Sequence, residues 1–417
     1  MNQEGHFKIA YRWWILIVTF YSSIIFSGCI YFAFSLFVRP LQAEFGWERS
    51  TIMAAFTFLF LSLGLTSPFA GKAIDRYGPR ATMAVGTSIV VFGFLALTKL
   101  SAPIHYYICY VIIGVGGAAM GPVASTAVVS CWFREKRGLA IGVMSTGIGF
   151  GGLLLAPLVG GFIIPRMGWR TGFIFISLLT ATLIPLILWV IKAKSADEAR
   201  RRETLNRNRP LQRAMGNRDG NEIDLKGALF SAAFCLIAAA FMMSQFSVNG
   251  TVQSQVPHLQ DIGFPVTAAS GALGLIGLVS AFSKLFFGWL CDRIKPKYAF
   301  AIGVFFMAMG TMILMMIGPA SSLFILWCYA VVMGFGAGSW LPSMSMLVST
   351  NFGMASYGAI FGAVTLAHNI GVSTGPLFAG YIYDITSGYH WAFIVFIFLY
   401  GCSIPSMLLL RRPLRLQ

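Results

Sequence analysis

A single lysine interrupts an otherwise apolar stretch. In GLIGLVSAFSKLFFGWLCDRI, from Gly274 to Ile294, Lys284 is the one charged residue before Asp292. A charge inside a bilayer costs roughly 3 kcal/mol on insertion scales, so such a cation reads as functional by default. Gly277, Ser280, Lys284 and Gly288 share one helical face at i, i+3, i+7 and i+11, while Phe282, Leu285, Phe286 and Trp289 fill the other faces. A lysine among small and polar neighbours points into protein or a water-filled cavity. The plainer alternative is a side chain that snorkels to the interface. His368 is the second candidate. It lies about 16 Å past Tyr357 along a helix, with Thr365 and Asn369 beside it. An imidazole titrates near about pH 6.5 and is the ordinary titrating group at that depth. Apart from Asp384, after the end of one apolar segment, no Asp or Glu falls in any of them. The residues therefore exclude a carboxylate proton relay and leave His368, Lys284 or a bound ligand to carry a proton.

Apolar helices must position these groups. Of 417 residues, 57% are hydrophobic and 11% charged, with mean hydropathy +0.76. Soluble domains carry about a quarter charged residues, so the chain reads as a polytopic membrane protein. A span needs about 20 apolar residues. Twelve candidates follow: 13–38, 51–70, 81–99, 105–131, 138–163, 171–192, 227–248, 266–290, 298–318, 321–348, 358–382 and 390–410. The run after MNQEGHFKIAYRWW has no small-residue cleavage site and reads as a first span rather than a signal peptide. The expected fold class is an all-α membrane protein with 12 transmembrane helices in two pseudo-symmetric six-helix bundles. The bundles cover 1–192 and 227–417. Between them, 193–226 is a charged linker holding Arg200, Arg201, Arg202, Arg207, Arg209, Arg213 and Arg218.

The net charge of +16 reflects topology rather than a nucleic-acid partner. Lys8, Arg12, Lys72, Arg76, Arg80, Arg134, Lys136, Arg137, Arg293, Lys295, Lys297, Arg411, Arg412 and Arg415 fall with the linker on one side. Arg39, Arg49, Lys99, Arg166 and Arg170 fall on the other. The positive-inside rule places the first set, and both termini, in the cytoplasm. Seven scattered cysteines without a CxxC pair, and no HExxH, indicate neither a disulfide framework nor a metal. No cofactor is expected. Gly147-Ile-Gly149-Phe-Gly151 resembles a nucleotide fingerprint but lies in a membrane helix, not between a strand and a helix.

The halves repeat each other. At an offset of 217, Gly71, Asp75, Arg76, Pro79 and Gly86 of GKAIDRYGPRATMAVG meet Gly288, Asp292, Arg293, Pro296 and Gly303 of GWLCDRIKPKYAFAIG. At 219, GLLLAPLVGGFI from Gly152 meets GVSTGPLFAGYI from Gly371. Parallel six-helix repeats are a transporter architecture, with the ligand site between the halves near the midplane. Gly71, Asp75, Arg76, Gly78, Arg80, Asp292 and Arg293 read as a gating loop: Asp75 can accept hydrogen bonds at a helix N-terminus, and the arginines can pair with carboxylates in one conformation and part in the other. Plain topogenic charge is the alternative.

At this point the chain resembles the major facilitator superfamily, over about residues 10–412. The signature is GKAIDRYGPR. CWFREKRGLAIGVMSTGIGFGG (131–152) and FSGCIYFAFSLFVRPLQAEFGW (26–47) resemble the monocarboxylate transporters and oxalate/formate antiporters. The resemblance implies a cation in the eighth span that binds a substrate carboxylate; Lys284 stands where those relatives use arginine. A planar fork is thereby replaced by a compact charge. The antiporter's second cation, in the eleventh span, falls on Val364, one turn before His368; its fifth-span tyrosine falls on Ile148. The eighth-span aspartate of mammalian relatives falls on Ser280. Tyr31 matches a family tyrosine of the first span. Asn249 and Trp340 are further cavity candidates.

The expectation is a secondary transporter of a small organic anion, a monocarboxylate, in a bacterial cytoplasmic membrane. It moves substrate by alternating access as a functional monomer, with a proton or counter-anion as partner, and is not an enzyme. The competing reading is a drug or metabolite efflux antiporter, since GLLLAPLVGG differs by Ala156 from a motif of drug/proton antiporters. The lack of an intramembrane acid argues against it. No nucleotide-binding loop is present, so ATP does not drive the cycle.

Overall fold

The structure, a computed structural model, describes residues 3–121, 124–126, 128–129, 137–191, 230–352 and 357–410. All the regular structure among them is helical. The first half contains α1 (Gln3–Ile25), a π-helical turn (Phe26–Phe32), α2 (Val38–Phe45), α3 (Arg49–Tyr77), α4 (Pro79–Leu97) and α5 (Pro103–Met120). It continues with α6 (Arg137–Ala156), a second π-helical turn (Pro157–Ile163), α7 (Ile164–Ala181) and α8 (Leu183–Val190). The second half contains α9 (Ala232–Asp261), α10 (Val266–Arg293), α11 (Pro296–Met316), α12 (Leu323–Ala337), α13 (Trp340–Phe352), α14 (Tyr357–Thr386) and α15 (His390–Leu408). The linker 193–226 lies outside the described residues.

Ten stretches among the described residues are long and apolar enough to cross a membrane, against the twelve counted in the sequence. One of the ten, Gly142–Val190, contains two helices joined at Gly168, where φ is 82°. The exposed surface of the bundle is strongly apolar: Phe69, Phe92, Trp189, Phe305 and Phe398 are among the side chains left outside. In water that surface would be a liability; in lipid it is the solvated face.

The sequence repeat reappears as packing. An ideal Cβ on Gly116 would sit 2.6 Å from the Gly86 carbonyl, so α5 approaches α4 backbone to backbone. In the second half, a Cβ on Gly336 would sit 2.6 Å from the Gly303 carbonyl, and α12 approaches α11 in the same way. Gly86 and Gly303 are the pair that the offset of 217 aligns. Small residues allow such close helix approach, which lipid-exposed packing favours.

Two expectations need correction. The motif Asp75-Arg76 is not a loop but the last turn of α3, and Asp292-Arg293 likewise ends α10. The reversal itself is one residue, Gly78, at φ 85°, a region that glycine enters without steric cost, and Pro79 opens the next helix. In the second half Lys295 makes the same reversal in extended conformation before Pro296. The seventh span is also longer than 227–248. α9 continues to Asp261, giving about 45 Å of helix. Its final stretch, NGTVQSQVPHLQD, is too polar for a hydropathy reading. Asn249, Thr251, Gln253, Ser254 and Gln255 are nevertheless buried, against protein rather than lipid.

Candidate functional site

Lys284 is set on α10, about 27 Å along the helix from Val266 and about 14 Å from its other end at Arg293. The small face of α10 meets the first half directly. A Cβ on Gly277 would be 2.7 Å from the Gly149 carbonyl, and one on Gly149 would be 2.3 Å from the Gly277 carbonyl. Lys284 follows Gly277 by seven residues on the same face, so it is directed toward the seam between the halves. Ser280, one turn nearer Gly277, is buried and donates to the Gly277 carbonyl. Lys284 is half-buried, and no described carboxylate lies within ion-pair distance of its ammonium. A cation at this depth with no internal counter-charge is the condition that an anionic ligand satisfies.

His368 lies about 27 Å along α14 from Thr386, as Lys284 lies about 27 Å along α10 from Val266. It is 7% exposed. Its Nδ1 is 3.1 Å from Asn369 Oδ1, a bond made by the tautomer that carries its proton on Nδ1. Nε2 has no partner among the described residues. Trp340, at the start of α13, packs on the imidazole with ring centroids 4.6 Å apart. His368, Asn369 and Trp340 are thus brought together. Asn369 also approaches Gly64 of α3, at the seam.

Tyr31 and Asn249 are brought together elsewhere. The Tyr31 hydroxyl donates to Asn249 Oδ1 at 2.6 Å, and Gln253 Nε2 donates to the Tyr31 carbonyl at 3.2 Å. Asn249 Nδ2 donates to the Gln245 carbonyl and to Gln245 Oε1. Asn249 lies about 18 Å from Asp261, some 9 Å nearer that face than Lys284 lies from Val266. These bonds join the first half to the second, so both residues seal the seam in this conformation.

The remaining seam contacts continue toward the same face. Thr57 donates to the Ser373 carbonyl at 2.5 Å. At the end of α9 stands a cluster that the sequence reading missed. Arg49 is 2% exposed. Its Nη1 and Nη2 donate to Asp261 Oδ2 and Oδ1 at 2.6 and 2.8 Å, its Nη1 also donates to the Tyr389 hydroxyl at 2.9 Å, and its Nε donates to Gln42 at 3.0 Å. The guanidinium also lies 3.6 Å from the Tyr383 ring centroid. Arg39 adds a longer contact to Asp261 at 3.5 Å. Asp384 accepts from the backbone N–H groups of Arg49 and Ser50 at 2.9 and 2.7 Å, capping α3 from the opposite half. We refer to this end as the latch face. Asp261 is the last residue of α9 and Asp384 lies in the last turn of α14, so both carboxylates stand at helix ends, beyond the spans 227–248 and 358–382 read from the sequence. The available signal was the charge of Arg39, Arg49, Asp261 and Asp384 on the side that the positive-inside rule leaves poor in charge.

The opposite end, which carries the repeated Asp-Arg motif, contrasts with this. Arg76, Asp292 and Arg293 are exposed, and neither they nor Arg80 form an ion pair among the described residues. Arg76 and Arg293 lie over their own neighbours Tyr77 and Trp289. The Asp75 side chain lies outside the described residues. The described hydrogen bonds between the halves run from Tyr31 and Asn249 to the latch face.

The fold and sequence are matched by known proteins. The profile of the Major Facilitator Superfamily matches residues 19–373. The oxalate:formate antiporter of Oxalobacter formigenes is 24% identical over 284 residues, covering 68% of this chain and 64% of that protein. Monocarboxylate transporter 13 of Rattus norvegicus is 22% identical, covering 92% of this chain and 85% of that one. Among solved structures, a bacterial homolog of the human lysosomal transporter Spinster, inward-facing and occupied, has TM-score 0.74 at 13% identity over 95% of each chain. A peptide transporter POT in complex with sulfate has TM-score 0.71 at 12% identity, covering 94% of this chain and 93% of that one. With its helical bundle, its repeated motif and a profile match over most of its length, this chain belongs to the major facilitator superfamily.

Proposed function

We propose that the chain is a secondary transporter of a small organic anion, a monocarboxylate, held between the halves 1–192 and 227–417 by Lys284. The observation that carries this reading is the ammonium at the seam, which has no ion-pair partner among the described residues. A unit-charge pair at 4 Å is worth about 4 kcal/mol at an effective dielectric of 20, enough to offset desolvation of the lysine. The carboxylate sits against Lys284, and Trp340 supplies an apolar wall. The similarity to an oxalate:formate antiporter and to monocarboxylate transporters supports the anion class.

The motif face is cytoplasmic in this reading, so the described conformation faces inward and the latch face is external. Substrate favours the occluded state and the halves rock around it. His368 takes the coupled proton at Nε2. Counterflow into proteoliposomes across lactate, pyruvate, formate, oxalate and aromatic acids tests the substrate class. Uptake of the accepted acid is driven by an inside-alkaline gradient, and His368→Ala flattens that dependence. Full gradient dependence in His368→Ala removes the proton role.

A further inference from the structure

The latch is made asymmetrically, and the asymmetry points to a second anion site. Its cationic parts belong to the first half and its carboxylates to the second. Arg49 Nε is held by Gln42, within the first half, and this fixes the guanidinium plane. Both terminal nitrogens then face the Asp261 carboxylate as a planar fork, with Arg39 at its side. On the same wall the backbone N–H groups of Arg49 itself and of Ser50, the first of α3, hold the Asp384 carboxylate. In the closed latch, the first half already grips two carboxylates, both lent by the second half.

We propose that Arg49, with Arg39 beside it, is an outer carboxylate-binding site, filled by Asp261 when the external mouth is shut and by the carboxylate of an incoming organic anion when it opens. The proposal rests on the anion-transport reading for its biological ligand. Alternating access parts the halves at this face and withdraws Asp261, Asp384, Tyr383 and Tyr389 together. Gln42 stays, so Arg49 keeps its orientation. Glu44 does not compete for Arg49, because Arg170 and Trp169 engage it. Glu48 is exposed and forms no ion pair among the described residues. Once the walls separate by more than about 8 Å, salt screens Asp261 from the arginines at physiological ionic strength. A substrate carboxylate held there competes with Asp261 for one fork. It therefore delays closure until it moves inward toward Lys284.

The test is equilibrium binding to full-length protein in nanodiscs. The probes are pyruvate, oxalate and benzoate, with pyruvamide as the uncharged control. A guanidinium fork recognises the carboxylate and not the remainder, so all three acids serve. Asp261→Asn removes the internal competitor, and Lys284→Ala in the same chain removes the central site. This double variant should bind at least one acid and not pyruvamide. Adding Arg49→Lys, which keeps the charge but not the fork, should weaken binding about tenfold, and adding Arg49→Gln should abolish it. No acid binding in the Asp261→Asn/Lys284→Ala protein overturns the outer site, as does binding that survives Arg49→Gln. Because Lys284 is absent throughout, failure of the central-site reading appears separately, as carboxylate counterflow that Lys284→Ala leaves intact.

Discussion

At the latch face, a guanidinium that is 2% exposed is shared among Asp261, Tyr389 and Gln42, and a carboxylate from one half caps a helix of the other. At the motif face, Arg76, Asp292 and Arg293 are exposed and unpaired among the described residues, although they form the most recognisable pattern in the chain. The latch is built from residues far apart in sequence, each unremarkable alone. The motif is contiguous and repeated, and does little in this conformation. On the alternating-access reading proposed above, a protein that opens its two ends in turn holds the contacts of one end at a time, and motif-face contacts belong to the other state.

The largest effect is expected where the latch is broken at its centre. Arg49→Ala leaves Asp261 facing a vacated site, while the backbone N–H bonds to Asp384 remain, and losing one partner of a buried pair costs roughly 3 kcal/mol. Thermal unfolding of the purified protein should show this loss. Spin labels across the latch face should report a wider mean distance; an unchanged distance would mean that other contacts close this end. A smaller effect belongs to Tyr31→Phe. It removes the hydroxyl bond to Asn249 across the seam and should cost about 1 kcal/mol, with a modest shift toward the outward-open state in the same spin-label measurement. The smallest belongs to Arg76→Ala. With no ion-pair partner among the described residues, it should change stability by less than about 0.5 kcal/mol, while proteoliposome uptake falls because, on the alternating-access reading, the other state loses a contact. Equal loss in both measurements would mean that Arg76 already supports the conformation described here.

Much of this fold is legible in the chain. Composition fixes the medium, and the offset of 217 anticipates the paired glycine contacts at Gly86 and Gly303. The polar end of α9 does not yield to such counting, because hydropathy assumes that each span meets lipid, and Gln253 and Gln255 meet protein. Tyr31, through the family resemblance, and Asn249 were legible as candidate substrate contacts, but not as partners of each other, since 218 positions separate them. Arg49 was visible only as an outer charge. Its burial depends on Asp261 and on Tyr389, 340 positions away, and no local pattern encodes that meeting.

The central claim is that Lys284 binds the substrate carboxylate. Counterflow of the accepted acid, measured in proteoliposomes bearing wild-type, Lys284→Arg and Lys284→Ala chains, tests it most directly. The account predicts background counterflow for Lys284→Ala and substantial retention for Lys284→Arg, which keeps the charge. Undiminished rate and half-saturation in Lys284→Ala would contradict it.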